Sequence, residues 1–343
     1  MNAKSVFVRY LTFLIGMLLV GNIYLPGHYN IPYPQTLGPQ FKANVKRDRI
    51  DAISANRPAV VLIGDSVLYL GVDQQALSEQ LRVETYSIGM PGFGSAAWYL
   101  ILKNVVLGGS HRPEVVVVMF RDTMLTIPEF RTTGRYFAAL DDFAGRREPL
   151  LTELAFVNRM NPVEKLAGQY FPLYSARWEL REALDSRVRY MPSSLLLNCS
   201  AECTDEAINS IFARGLVDAV AFNQAVEDAG ETLYALEAMD FDGKIDRSFL
   251  PAMIQLAQEN DIKLVFVRTK TLVFPEYSSE PAALRNYMES LDAYISGHGA
   301  YLLDFAHDER IKDEYFSDIL HFNPSGMQAF TGILAGELKV LLK

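Results

Sequence analysis

Ala59-Val60-Val61-Leu62-Ile63-Gly64-Asp65-Ser66 is the stretch from which the rest of the chain can be read. An unbroken apolar run with three β-branched residues, and no polar alternation, describes a strand covered on both faces, as in a parallel sheet. Gly64, Asp65 and Ser66 then carry the chain over the strand's carboxyl end. In open α/β sheets ligands bind along that edge, so a hydroxyl there is well placed for chemistry.

Outward from this strand the pattern recurs. Asp73 is positioned to cap a helix over 74–81, and 83–88 reads as a second strand. Gly89-Met90-Pro91-Gly92-Phe93-Gly94 is a turn leading into a helix over 95–107, and the run 114–120 is the clearest β signal in the chain. From about 123 to 247 the periodicity turns helical, without strand alternation, and reads as an insertion. The βα pattern then returns: helix 249–260, strand 263–268, helix 282–296, strand 300–304 and a last helix over 325–342. Five strands alternating with helices make an open parallel sheet.

Upstream, Lys4 and Arg9 precede the most apolar stretch of the chain. Counted over 6–25 it is barely a membrane span of roughly 20 residues, and Pro26-Gly27 should end the helix. No Lys or Arg follows until Lys42, so the positive-inside rule puts residue 1 in the cytoplasm and everything after Leu25 outside. A cleaved signal peptide competes with this anchor, but the cleavage pattern around Val20-Gly21-Asn22 is poor. The expected organisation is an anchor over 1–25, a connector over 26–57 and an α/β domain over 58–343. Outside the cytoplasm Cys199 and Cys203 are open to a short disulfide, or remain two thiols.

Of 343 residues, 50% are hydrophobic and 21% charged, which suits a folded protein and not a disordered one. The net charge of −9 argues against a nucleic-acid partner, because phosphate binding wants an excess of cations. Two cysteines exclude a disulfide-dense scaffold, and no Cys/His cluster has zinc spacing.

Near the end of the chain stand Asp318-Ile-Leu-His321 and Phe322-Asn-Pro-Ser-Gly326. An Asp and a His three residues apart can meet on one turn. Asp318 would then take the Nδ1 proton of His321, leaving Nε2 to act as general base toward Ser66. Serine needs such a base to attack an acyl carbon. The amides of Ser66 and Gly92 are candidate donors to the oxyanion that would form.

At these residues the chain resembles the SGNH (GDSL-type) hydrolase superfamily, over roughly 58–122 and 249–340. The resemblance implies Gly64-Asp65-Ser66 as the nucleophile block, Gly92 as the oxyanion glycine, and Asp318 and His321 as acid and base. It also implies a flavodoxin-like three-layer α/β/α fold with a five-stranded parallel sheet, a helical insertion and an N-terminal transmembrane helix. One block departs from the pattern. Where the family has an oxyanion-hole Asn after the third strand, this chain has Arg121, in Phe120-Arg121-Asp122. Three roles are open to Arg121: donor to the oxyanion, receptor for an anionic substrate group, or salt-bridge partner of Asp122.

The departure and the anchor together resemble the membrane-anchored SGNH-like proteins of bacterial envelope modification, of the alginate-acetylation and teichoic-acid D-alanylation type. That branch implies an acylated glycan as substrate, a membrane-bound O-acyltransferase as partner, and a catalytic domain on the outer side of the inner membrane. Whether the outcome is esterase or acyltransferase stays open, and so does a non-catalytic glycan-binding or scaffold role. No metal or organic cofactor is implied.

Several rivals fall on sequence grounds. Gly89-x-x-Gly92-x-Gly94 runs opposite to the dinucleotide fingerprint and contains Pro91. The α/β-hydrolase elbow needs glycine two residues after the serine, where Leu68 stands. A second Asp-x-x-His, Asp304-Phe-Ala-His307, lacks the following Asn-Pro-x-Gly and is expected to be a helix cap beside a solvated histidine. His28, His111 and His298 are expected at the surface. Asp65 is expected to hold its loop through backbone hydrogen bonds.

Overall fold

A computed structural model of the chain describes residues 3–30, 34–43, 45–175 and 216–342, with the isolated positions 177, 191, 200 and 203. The chain divides into two units, Met1–Pro39 with Phe156–Asp228, and Gln40–Ala155 with Ala229–Lys343.

In the first unit α1 (Ala3–Tyr29) contains a stretch, Lys4–His28, long and apolar enough to cross a membrane, with a mean hydropathy of 1.9. The helix does not stop at Pro26, as the sequence suggested, but carries that proline inside it. Proline removes one amide-to-carbonyl bond; unwinding the remaining turn would strand several more, a greater loss on an apolar helix. Cys203 is disulfide-bonded, and Cys199 lies outside the described residues.

The second unit holds the sheet. Its strands are β1 (Val60–Gly64), β2 (Thr85–Gly89), β3 (Val115–Phe120), β4 (Lys263–Arg268) and β5 (Tyr301–Asp304). They are parallel throughout, in the order β2-β1-β3-β4-β5. This is the flavodoxin-like order, with its reversal between β1 and β3, the place where such sheets open a crevice.

Every residue of β1 and β3 is buried, as their unbroken apolar runs require. Val60, Leu62, Val115, Val117, Met119, Val265 and Val267 pack on one face against Leu68, Leu77, Phe330, Leu334 and Leu338. Those five belong to α3 (Ser66–Gly71), α4 (Gln74–Leu81) and the long helix Pro324–Leu341. Strand alternation sends Val61, Ile63, Val116, Val118, Leu264 and Phe266, all buried, to the other face. On that side α5 (Ser95–Leu100), its π-helical continuation Ile101–Val106 and the helix Leu250–Glu259 contact one another, and the latter two contact β1 and β4. Each fully buried aliphatic side chain contributes about 1.5–3 kcal/mol, so these two layers dominate the stability of the unit.

The structure adds two local details. The stretch 26–57 is not connector throughout: α2 (Arg47–Asn56) is a helix that buries Ile53, an apolar residue whose i−3 neighbour Ile50 shares its face. Ser66 opens α3, with Asp65 as its cap. Within 123–247 the described residues form helices and turns and no strand.

Candidate active site

Parallel strands end along one edge, and the register brings the ends together: Gly64 stands opposite Gly89, and Phe120 opposite Arg268. The residues that follow β1, β2 and β3, namely Ser66, Gly92 and Arg121, therefore lie along the same carboxyl edge. Gly64 has no room for a side chain, because a Cβ there would stand 2.7 Å from Leu68 Cβ. The chain can turn tightly into α3 only with glycine at that position. Asp65 Oδ1 accepts from the Val67 amide at 2.9 Å, as a cap should, and its side chain is 1% exposed.

The other half of the site arrives from 255 positions away. Three anchors carry it to the edge. Lys270, just past β4, donates to the Ile311 carbonyl at 2.7 Å and pairs with Asp313 at 3.0 Å. The Leu272 amide donates to the Ile319 carbonyl at 2.8 Å, tying the loop after β4 to the turn that bears Asp318. Asn323 caps the last helix through the Gly326 amide and donates to the Glu314 carbonyl, both within 2.9 Å. Gly326 is forced by space, since a Cβ there would meet the Tyr315 carbonyl oxygen at 2.2 Å. The Asn-Pro-x-Gly run thus acts on the backbone, holding the histidine loop against the helix start.

On that turn Asp318 Oδ1 accepts from the amides of Leu320 and His321 at 2.8 and 2.9 Å. Its Oδ2 lies 2.9 Å from Nδ1 of His321, and Nε2 of His321 lies 2.8 Å from Oγ of Ser66. A carboxylate at Nδ1 selects the tautomer with its proton there, so Nε2 accepts from the serine hydroxyl. The imidazole is nearly buried, at 8% exposed, while Asp318 keeps 34% of its side chain in solvent. Ser66, His321 and Asp318 therefore form a continuous hydrogen-bonded chain.

Gly92 adopts φ +82, the left-handed region that favours glycine, and its carbonyl accepts from Arg131 at 3.2 Å. Among the described residues, neither the Gly92 amide nor the Ser66 amide donates to a protein group. Both stay available at the edge.

Arg121 is buried, and its salt bridge differs from the one expected. Its Nε stands 3.4 Å from Asp65 Oδ2, not against Asp122. Asp122 is already taken: its Oδ1 accepts from Nε and Nη2 of Arg268 at 3.0 and 2.6 Å, and its Oδ2 from the Tyr234 hydroxyl at 2.7 Å. Nothing in the local sequence linked Asp122 with residues 146 and 112 positions away. Burial, with the Asp122 carboxylate adding to it, pushes the Tyr234 hydroxyl well above the ordinary tyrosine range.

The second Asp-x-x-His does not make a comparable pair. Asp304 Oδ1 accepts from the Ala306 amide at 2.9 Å, capping a turn and not a helix, and Oδ2 accepts from Arg268 at 3.2 Å. His307 keeps 21% of its side chain in solvent, and its Nε2 lies 3.2 Å from the buried Glu280, which also binds Arg268. Arg268 lines a cavity of about 240 Å³ with Glu280, Arg285, Asp304 and His307. His28 and His298 are exposed, whereas His111 is half-buried, with Nε2 2.8 Å from the Pro58 carbonyl. Among the described residues no group of His, Cys, Asp and Glu is arranged to hold a metal ion.

No family model and no curated protein matches this chain. Solved structures with a similar trace include a GDSL-like lipase from Bacteroides thetaiotaomicron VPI-5482, with 11% identity over 86% of this chain and 98% of that one, at a TM-score of 0.38. Another is LAE5, an alpha/beta hydrolase from the metagenome of Lake Arreo, with 12% identity over 83% of this chain and 95% of that one, at 0.33. At these scores the likeness carries no argument about activity; the sheet order and the side-chain geometry stand without it.

Proposed function

We propose that this chain is a serine-dependent ester enzyme of the SGNH (GDSL) type, with Ser66 as nucleophile, His321 as general base and acid, and Asp318 as the group that orients the imidazole. The observation that carries the reading is the unbroken Ser66–His321–Asp318 hydrogen-bond chain at the carboxyl edge of a parallel sheet. Oγ attacks the acyl carbonyl while its proton passes to Nε2. The negative charge gathers on the carbonyl oxygen, where the Ser66 and Gly92 amides and the positive charge of Arg121 are the candidate stabilisers. Collapse expels the alcohol, which takes the proton from Nε2, and leaves an acyl-serine. Water resolving that intermediate makes the protein an esterase; a sugar hydroxyl makes it an acyltransferase.

The long apolar α1 supports a single-pass anchor in the inner membrane, with the sheet-bearing unit outside and an acylated envelope glycan as substrate. A membrane-bound O-acyltransferase is the partner this arrangement suits. Fluorophosphonate labelling tests the catalytic reading. The wild type should label, while Ser66→Ala and His321→Ala should not. No labelling of a folded wild type would favour a non-catalytic, glycan-binding scaffold.

A further inference from the structure

Among the described residues three cations are buried: Arg121, Arg268 and Lys270. Two have spent their donors. Arg268 binds Asp122, Glu280 and Asp304, and Lys270 binds the Ile311 carbonyl and Asp313. Arg121 is different. At 6% side-chain exposure it makes no hydrogen bond to any described residue, and its Nε is sealed from solvent without a partner. Asp65 at 3.4 Å supplies counter-charge without a hydrogen bond, and its own Oδ2 is likewise left without one. A guanidinium this buried, with Nε sealed and no hydrogen bond from its Nη groups to a described residue, is costly to hold, so its retention calls for an anion that it meets in use.

The backbone around it is held firmly. Asp122, the next residue, sits at φ +46, a left-handed conformation costly for a non-glycine residue. The Arg268 and Tyr234 bonds hold that carboxylate in place, and the Met124 amide donates to the Arg121 carbonyl at 3.1 Å. Arg121 is therefore preorganised one strand away from Ser66, and Asp65, the residue beside its Nε, immediately precedes that serine.

We propose that Arg121 is the receptor for a carboxylate or phosphate carried by the ester substrate next to the group that Ser66 attacks. This rests on Ser66 being the nucleophile. A planar guanidinium matches either anion through paired N–H donors. The charge belongs either to the acyl group or to the alcohol, and the test separates the two.

The full-length protein in detergent is assayed with three aryl esters: 4-nitrophenyl acetate, 4-nitrophenyl hemiglutarate with the anion on the acyl side, and 3-carboxy-4-nitrophenyl acetate with the anion on the alcohol side. Each rate is corrected for uncatalysed hydrolysis. One anionic ester should exceed the neutral acetate in kcat/KM by about tenfold or more, and which one does so names the side. In Arg121→Met that ratio should collapse by roughly ten- to a hundredfold. Should Arg121→Met fail to fold by circular dichroism, Arg121→Lys, which keeps the charge and loses the fork, must still narrow the ratio severalfold. No preference in the wild type, or an equal loss on all three esters in the variants, overturns the proposal; the equal loss would place Arg121 at the oxyanion alone. If the wild type turns over none of the esters and Ser66→Ala is indistinguishable from it, the catalytic reading itself fails first.

Discussion

Nε2 of His321 lies 2.8 Å from Oγ of Ser66, although 255 positions of chain separate them. The serine is held by the cap of a short helix, and the histidine by a turn tethered to the loop after β4. The contact joins two rigid parts of one sheet edge, which is the placement a proton relay needs.

Asp318→Asn should lower kcat for an aryl acetate by about a hundred- to ten-thousandfold with little change in KM, because an amide no longer favours the imidazole tautomer that faces Ser66. The same change at the other Asp-x-x-His, Asp304→Asn, should leave kcat within a few fold, since Asp304 binds Arg268 and a turn amide and not a histidine. Steady-state kinetics of the two variants side by side check both. Equal losses would remove the distinction between the motifs.

Arg268→Met should destabilise the protein by about 3–5 kcal/mol in denaturant unfolding, because it leaves the buried carboxylates of Asp122 and Glu280 without their cation. Loss of the clamp on Asp122 should also disturb Arg121. A change below about 1 kcal/mol would mean that these charges are solvated in the native state.

Two glycines in or beside the last helix should respond in opposite senses to alanine. Gly326→Ala drives a Cβ into the Tyr315 carbonyl and should destabilise by more than about 2 kcal/mol, displacing the His321 loop. Gly336→Ala lies in the same helix, is exposed and meets nothing within 4 Å, so it should stabilise by about 0.5–1 kcal/mol. Thermal melts of both decide it, and an unaffected Gly326→Ala would contradict the packing described.

Burial pushes Tyr99 up to about 12, with the nearby Glu148 adding to it, and raises Tyr234 and Tyr287 further. Each phenol is neutral in both states below pH 10, so its contribution to stability is complete there. Above 10 the unfolded chain ionises first, and stability falls with rising pH until the native tyrosines ionise as well, near 12 for Tyr99. Tyrosinate absorbance of the native protein should therefore lag that of the denatured protein above pH 10. Coincident titrations would place these rings in water.

The strands were legible in the chain because residues buried on both faces of a parallel sheet must be apolar without interruption, and 59–63 and 115–120 satisfy that locally. Asp73 as a helix cap and Asp65 as a loop-holding carboxylate were legible for a similar reason, since a cap is satisfied within three residues. The passage of α1 through Pro26, and the helix Arg47–Asn56, were not. The first depends on how an apolar helix satisfies its last carbonyls, and the second on a packing partner elsewhere that covers Ile53.

Local sequence alone determined the βα alternation, the long apolar N-terminal segment and the presence of Gly-Asp-Ser and Asp-x-x-His-x-Asn-Pro-x-Gly, because periodicity, capping and turn chemistry act over a few residues. Only the tertiary structure decided that His321 and not His307 meets Ser66, that Asp122 answers to Arg268 and Tyr234, and that Arg121 is left beside Asp65 with its donors unspent. Those outcomes turn on which strand ends lie next to one another, and no local spacing encodes a neighbour that reaches the same edge from a distant part of the chain.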